Sequence, residues 1–296
     1  ASDVYKRQDT FLTVCETMNF TEAARQLHIT QPAVSQHIHY LEKRYDAKLF
    51  VYENKQLGLT KAGETLRRRL MTMKNDEKVI FQEIKEKQSG IESLSMGVTM
   101  TIGEYAVVHK IAGFLKCHPN INLHLRYGNT EQLLTMLNNG QIDCALVEGN
   151  YRRDGYEHLK FGTEEYIGVC FAEHQFCNGY PEKMDDLLSE RLLIREQGSG
   201  TRNILEENLV ARGLSIADFV HYTEVGNMHM MIELLKRDCG ISFMYKVAVA
   251  EELRKGILKE IRLSDFKMQH DFDFIWQKGS IYTERYAHIC EELLRL

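Results

Sequence analysis

The stretch FTEAARQLHITQPAVSQHIHYLEK, residues 20–43, decides the fold of the N-terminal part of the chain. It reads as two short amphipathic helices joined by only a few residues. The first helix offers a narrow face of small and apolar side chains, namely Ala23, Ala24 and Leu27. The second carries one continuous core stripe, formed by Val34, Ile38, Leu41 and Tyr45. Such a pair predicts a helix-turn-helix, with one face of the second helix left free for a partner.

The ends of these helices are marked by capping residues. Thr21 is expected to cap the first helix and Thr30 the second, because their hydroxyls can accept hydrogen bonds from free amides. Pro32 falls within the first turn of the second helix, where its missing N–H costs little. At 100° per residue, the exposed face near that helix start carries Gln31, Ser35 and Gln36.

Those exposed side chains both donate and accept hydrogen bonds, which suits the base edges of a DNA major groove. The alternative is an ordinary helical hairpin with a polar outer face. Two further features favour DNA binding. LFVYENKQLGLT, residues 49–60, reads as two short strands around a polar turn, which is typical of a wing. A long helix then follows Thr60.

The long helix carries a heptad-like apolar seam, interrupted at Glu77. The members of the seam are Leu66, Leu70, Met73, Ile80 and Ile84. A seam of this length predicts a partner helix, and therefore a homodimer that reads two half-sites on DNA.

The ordered motifs of residues 9–65 resemble the winged helix-turn-helix of LysR-type transcriptional regulators. These motifs are AA-x-x-L, TQPAVS, the LE and LF pairs, and LT-x-AG. The resemblance implies that residues at or near the second helix lie on double-stranded DNA: Thr21, Thr30, Gln31, Pro32, Ser35, Gln36 and His39. Most relatives have an arginine where this chain has Tyr52, which leaves Lys55 as the basic candidate in the wing.

Composition separates a mildly basic head from an acidic body. Residues 1–90 hold 15 Lys and Arg against 12 Asp and Glu, whereas the rest of the chain holds 22 against 30. This asymmetry is expected when only the head meets a polyanion. With no apolar run long enough to span a membrane and no visible secretion signal, we expect a cytoplasmic protein that does not bind membranes.

Residues 1–8, ASDVYKRQ, do not lead naturally into the helical pattern that begins near Asp9, and the chain lacks an initial methionine. We therefore expect foreign sequence here, or a missing N-terminus. The seven scattered cysteines are expected to be buried thiols. Cys170, His174 and Cys177 lack a clear fourth ligand, so no metal site is predicted.

From Leu94 onward, strands and helices alternate in a βαβαβ order that then repeats. A mostly parallel sheet in two lobes follows, with a ligand cleft between the lobes. The final strand, FDFIWQK, and a helix from Thr283 are expected to return to the first lobe.

The best ligand-binding candidates lie where strands lead into helices. Hydroxyls and free amides follow one strand at Thr99, Met100 and Thr101, and recur at Ser199, Gly200 and Thr201. Amides and hydroxyls at a helix start suit an anion, such as a carboxylate or an inorganic oxyanion. Glu148 and Gly149 end a third strand, where the carboxylate would oppose an anion unless it points away.

Residues 91–296 resemble the effector-binding domain of the same family, which is similar to periplasmic binding proteins. By position, Thr99, Thr101, Ser199 and Thr201 match where relatives hold their inducers. The fold class is therefore multidomain: an all-α winged helix-turn-helix head (9–65), a long linker helix (66–90) and a two-lobed α/β domain (91–296). Within that domain, lobe I takes residues 91–167 and 267–296, and lobe II takes 168–266.

The function expected from this organisation is sequence-specific regulation of transcription in response to a small, anionic effector, with no resident cofactor. The resemblance further implies a dimer of dimers and contact with RNA polymerase. An enzyme is the first alternative, but the chain lacks a P-loop, a dinucleotide-binding glycine motif and a nucleophile elbow. A stand-alone solute-binding protein is the second, but it would need a secretion signal and would not need the head.

Overall fold

A computed structural model describes residues 2–53 and 56–296. The chain divides into two compact units, Ala1–Phe81 and Gln82–Leu296. The elements of the first unit are α1 (Ser2–Thr17), α2 (Phe20–Gln26), α3 (Gln31–Tyr45), β1 (Phe50–Glu53), β2 (Gln56–Leu59) and α4 (Lys61–Ser89), which extends past the unit boundary. None of the described helices is long and apolar enough to cross a membrane.

The start of α1 differs from the sequence expectation, which set residues 1–8 apart from the helical pattern. The helix begins at Ser2, and the Arg7 guanidinium lies 3.8 Å from the centre of the Tyr40 ring on α3. A cation over an aromatic face is attractive. Residues 2–8 therefore continue α1 and contact α3.

The core of the first unit joins all three of its opening helices. Phe11, Val14, Val34 and Leu41 are fully buried, and Ala23 at the centre of α2 has no exposed surface. Small residues on α2 let α1 and α3 pack closely on it, as the sequence predicted. Tyr45 was wrongly placed in this stripe: it ends α3, is 43% exposed, and extends beyond the helices that cover Leu41.

The predicted cap of α2 is also wrong. Asn19 caps this helix, its Oδ1 accepting from the amides of Thr21 and Glu22 at 2.9 and 3.1 Å. Thr21 lies inside the first turn instead. The cap of α3 is confirmed: the Thr30 Oγ1 accepts from the Ala33 amide at 3.4 Å, with Pro32 in the first turn.

The wing is confirmed as an antiparallel hairpin, in which Phe50 pairs with Leu59 and Glu53 with Gln56. Thr60 connects it to α4, since its Oγ1 donates to the Lys48 carbonyl at 2.6 Å and accepts from the Gly63 amide at 3.0 Å. A Cβ on Gly63 would lie 2.1 Å from the Leu49 carbonyl oxygen. Only glycine lets α4 start so close to Leu49, the residue before the first strand of the wing.

The seam of α4 divides into two parts. Leu70 is buried and Leu66 partly buried in the core of the first unit. Beyond them, Met73, Ile80 and Ile84 are exposed, and Phe81 beside them is 63% exposed.

The second unit contains nine strands and six helices among its described α and β elements. They are β3 (Glu92–Val98), α5 (Val108–Cys117), β4 (Ile121–Tyr127), α6 (Thr130–Asn138), β5 (Cys144–Val147), β6 (Tyr156–Phe171), β7 (Arg191–Arg195), α7 (Gly200–Val210), β8 (His221–Val225), α8 (Met228–Leu235), β9 (Ile241–Tyr245), α9 (Ala250–Arg254), β10 (Leu258–Ile261), β11 (Met268–Gln277) and α10 (Thr283–Arg295). A π-helical turn, Ile102–Ala106, precedes α5.

The strands form one sheet in the order β4-β3-β5-β11-β6-β9-β7-β8, with β10 paired to β6. In the first lobe β3 is parallel to β4 and β5, and in the second β7 is parallel to β8 and β9, as predicted. The long strands β6 and β11 join the lobes. β11 pairs with β5 and with β6, and α10 packs beside α5 through Lys110, which donates to the Leu293 carbonyl at 3.1 Å. The predicted return to the first lobe is confirmed.

Two strand segments escaped the sequence analysis: β10, and residues 156–165 of β6. The first half of β6 alternates half-exposed, charged residues in a ribbon with β11. Such a ribbon has little apolar signal, because only its partner strand covers it.

We expect Gly63→Ala to destabilise the first unit by about 1–3 kcal/mol, because the added methyl overlaps a backbone carbonyl that cannot move freely. Urea unfolding of the full chain measures this loss. Gly58→Ala is the matched control, since its Cβ would meet its nearest atom at 3.7 Å, an ordinary contact. Equal stability of the Gly63 variant and the wild type would contradict the packing argument.

Candidate nucleic-acid interface and ligand cleft

A groove of about 810 Å³ lies on the first unit between α2, the start of α3 and the wing. Three of the predicted DNA-binding residues, Thr21, Gln31 and Ser35, line it. Its other lining residues are Met18, Asn19, Phe20, Tyr52, Gln56 and Leu57. The helix pair and the hairpin thus form one continuous concave surface.

The N-terminal half of α3 presents polar groups outward. Gln31, Pro32, Gln36 and His39 are exposed, and so is the capping residue Thr30. The Gln31 amide donates to the Ser35 hydroxyl at 3.0 Å, one turn apart. This bond orients the Gln31 amide, whose carbonyl oxygen and second N–H stay available.

The wing adds an aromatic side chain to this surface. Tyr52 is 71% exposed and lines the same groove as Gln31 and Ser35. Lys55, the predicted basic residue of the wing, lies outside the residues that the structure describes. Asn19 and Gln56 also line the groove and were not predicted. The sequence pattern had assigned the cap of α2 to Thr21, and it had placed Gln56 in the turn of the wing.

In the second unit, the predicted hydroxyls meet around one carboxylate. Thr99 follows β3, Glu148 follows β5, and Thr201 lies in the first turn of α7. The hydroxyls of Thr201, Thr99 and Thr101 donate to the Glu148 carboxylate at 2.8, 3.2 and 3.2 Å. An anionic ligand at these hydroxyls would require the Glu148 carboxylate to point away from them, and it does not. It lies among them.

Burial dominates the electrostatics of this cluster. Glu148 is 2% exposed, and burial raises its pKa although the three hydroxyls and the Arg195 charge oppose the shift. The Arg195 guanidinium is paired with Glu196, at 2.8 and 3.0 Å. Among the described residues no cation lies within ion-pair distance of the Glu148 carboxylate.

The two lobes touch directly at this cluster. Gly149 has φ +82°, and a Cβ on Gly200 would lie 2.3 Å from the Glu148 carbonyl oxygen. The Asn129 amide donates to the Gln197 carbonyl at 3.2 Å, which adds a second link between lobes. These glycines thus let the lobes approach each other.

The remaining predicted ligand residues lie beside the cluster. Ser199 is buried at the N-cap of α7 without a capping bond from its side chain, and Met100 is half-buried in the turn after β3. Thr130, which was not predicted, donates to the Glu148 carbonyl at 2.8 Å.

Two tyrosines of this site escaped the sequence analysis, because each lies in an apolar strand that reads as core. The Tyr166 hydroxyl donates to the Thr201 carbonyl at 2.7 Å. Tyr245 is fully buried, and its hydroxyl has no hydrogen-bond partner among the described residues. No pattern of polar residues in the sequence marks either tyrosine as part of this site.

The rejected metal candidates have other partners. His174 lies between Asp238 and Glu190, with its Nε2 3.3 Å from Glu190. Cys170 is buried, and Cys177 is exposed.

Two family models match the chain in succession. One, described as a bacterial regulatory helix-turn-helix protein of the lysR family, matches residues 6–64. The other, described as a LysR substrate binding domain, matches residues 87–295, which is more than half of the chain.

Similar proteins agree with these matches. The transcriptional regulator CysL of Bacillus subtilis is 28% identical over 267 residues, spanning 90% of this chain and 88% of CysL. The transcriptional regulator CfxR of Cupriavidus necator is 30% identical over 284 residues, spanning 95% and 86%. Full-length LysG from Corynebacterium glutamicum, solved with bound effector Arg, shares the fold with a TM-score of 0.61 at 17% identity, covering 98% of this chain and 97% of LysG. The chain therefore belongs to the LysR family of transcriptional regulators.

Proposed function

We propose that α3 enters the major groove of operator DNA and that a small molecule bound between the lobes of the second unit controls this binding. The observation that carries the DNA part is the exposed polar end of α3, which shares one groove with the wing. A helix of this kind is the recognition element of a helix-turn-helix.

Roles follow from position on α3. Gln36 and Gln31 can each bond a base edge bidentately, and adenine suits both. Thr30, at the helix start, suits a phosphate, because free amides there favour an anion. The remaining predicted contacts are Thr21, Pro32, Ser35, His39 and Lys55. Tyr52 takes part in the wing contact, since its hydroxyl can donate to a phosphate oxygen.

A homodimer is proposed from α4. Its apolar residues Met73, Ile80, Phe81 and Ile84 are exposed, so a second copy would bury them. Assembly of two dimers on DNA and contact with RNA polymerase are part of the same proposal, as is a cytoplasmic location.

The effector is proposed to bind between the lobes, near the cluster of Thr99, Thr101, Thr201 and Glu148. Residues of both lobes meet there. A ligand that favours one closure of the lobes shifts the balance between two states of the regulator, by as much as its affinities for them differ.

Gln36→Ala is expected to lose about 1–3 kcal/mol of discrimination between operator and random DNA, because a bidentate base contact is removed. Gel shifts on DNA upstream of the gene, with random competitor, measure it. Gln141→Ala, an exposed change in the second unit, is the matched control. Equal losses on both DNAs would reduce Gln36 to a backbone contact.

Ile80→Lys is expected to weaken the dimer by at least about 1.5 kcal/mol, the apolar burial of one isoleucine. Sedimentation equilibrium of the full chain measures the dissociation constant. Lys278→Glu, an exposed charge reversal just after β11, serves as the control. An unchanged dimer in the Ile80 variant would place the interface elsewhere.

Thr201→Val should lower the stability of the second unit by about 1–3 kcal/mol, because the buried Glu148 loses its shortest hydroxyl donor. Operator affinity without ligand should stay unchanged. Thermal unfolding and gel shifts follow the two effects, and Thr135→Val, an exposed hydroxyl on α6, is the control. If the variant also loses operator affinity, the cluster stabilises the DNA-binding unit and is not a separate ligand site.

A further inference from the structure

Among the residues that the structure describes, no cation lies within ion-pair distance of the buried Glu148 carboxylate. Its three hydroxyl partners stabilise the charge through hydrogen bonds, but Arg195 is paired with Glu196 and acts only at a distance. Buried charges in proteins are normally paired, because burial of an isolated ion costs much free energy. Within the described part of the chain, the Glu148 carboxylate therefore has no cation paired with it.

A buried tyrosine hydroxyl lies close to the Glu148 carboxylate. The Tyr245 hydroxyl is fully buried and has no hydrogen-bond partner among the described residues. Burial and the Glu148 charge both raise the pKa of Tyr245. The nearby Gly149 amide opposes this shift, but it is not placed to form a hydrogen bond with the hydroxyl. The ring is held by edge-on contacts with Tyr166 and Phe272, at 5.4 and 4.8 Å between centroids. Its oxygen is thus fixed in place and can accept a hydrogen bond.

The hydroxyls that an anion would need are already engaged. Thr99, Thr101 and Thr201 all donate to Glu148, so an incoming acid group would find no free hydroxyl among them. It would also face a like charge at close range in a site of low dielectric, which is unfavourable.

We propose that Glu148 sets the charge preference of the cleft. It occupies, as a tethered carboxylate, the place of an effector's acid group, and the cleft accepts a ligand whose cationic nitrogen pairs with Glu148 and donates to the Tyr245 oxygen. This rests on the proposed function, in which the cleft binds an effector. It reverses the charge expected from the sequence. The contact between Gly149 and Gly200 must open for the ligand to enter.

The test compares methylammonium with acetate and sulfate as probes of the full-length protein, at constant ionic strength. Wild type, Glu148→Gln and Glu148→Ala are titrated by ligand-observed NMR and thermal unfolding. Glu284→Gln, an exposed carboxylate on α10, is the control for the general charge of the surface.

Wild type should bind methylammonium at least about tenfold more tightly than acetate, a difference of about 1.4 kcal/mol. Glu148→Gln should lose this preference, and Glu148→Ala should gain acetate binding, because the hydroxyls are released. Glu284→Gln should behave as wild type. If Glu148→Ala does not fold, the near-isosteric Gln variant decides the matter alone.

The proposal is overturned if wild type binds acetate or sulfate as tightly as Glu148→Ala, if methylammonium does not bind, or if Glu148→Gln leaves methylammonium binding unchanged. Gel shifts on operator DNA with the same samples separate this from the proposed function. An anion that binds wild type and alters operator affinity would leave the regulator intact and remove only the charge preference. If methylammonium binds through Glu148 but leaves operator affinity unchanged, the charge preference stands and the proposed control of DNA binding by the cleft fails.

Discussion

The burial of one carboxylate, Glu148, connects the two lobes of the second unit. Three hydroxyls from separate segments converge on it and stabilise its charge, two after β3 and one at the start of α7, and the Arg195 charge acts in the same direction from a distance. Those segments belong to different lobes. The requirement to satisfy one buried group thus holds the lobes together where a ligand would bind, and opening the cleft means breaking hydrogen bonds to a buried charge.

The first unit depends on a different constraint, the absence of bulk at a few positions. Ala23 lets α2 lie close to its neighbours, and Gly63 lets α4 start against the Leu49 carbonyl. The polar residues that face DNA can vary on such a frame without loss of packing, because they point away from the core.

Both units therefore separate a rigid frame from a chemical surface. On α3, Val34, Ile38 and Leu41 point inward while Gln31 and Gln36 point outward. In the second unit, β6 and β11 run through both lobes, while the residues at the strand ends form the proposed ligand site. A regulator needs this arrangement, because its two states must share one stable core.

The features that depend on neighbours along the chain could be predicted from the sequence: the start of α3 with its Thr30 cap, the wing, and the alternation of strands and helices in the second unit, apart from β10 and the first half of β6. Periodicity and capping act within a few residues, so they are visible without a structure. The tertiary structure alone shows that Tyr45 leaves the core, that Glu148 lies among the threonine hydroxyls, and that the Tyr245 hydroxyl has no hydrogen-bond partner among the described residues. Each of these depends on which distant segments meet, and no local pattern records the position of a group from another strand.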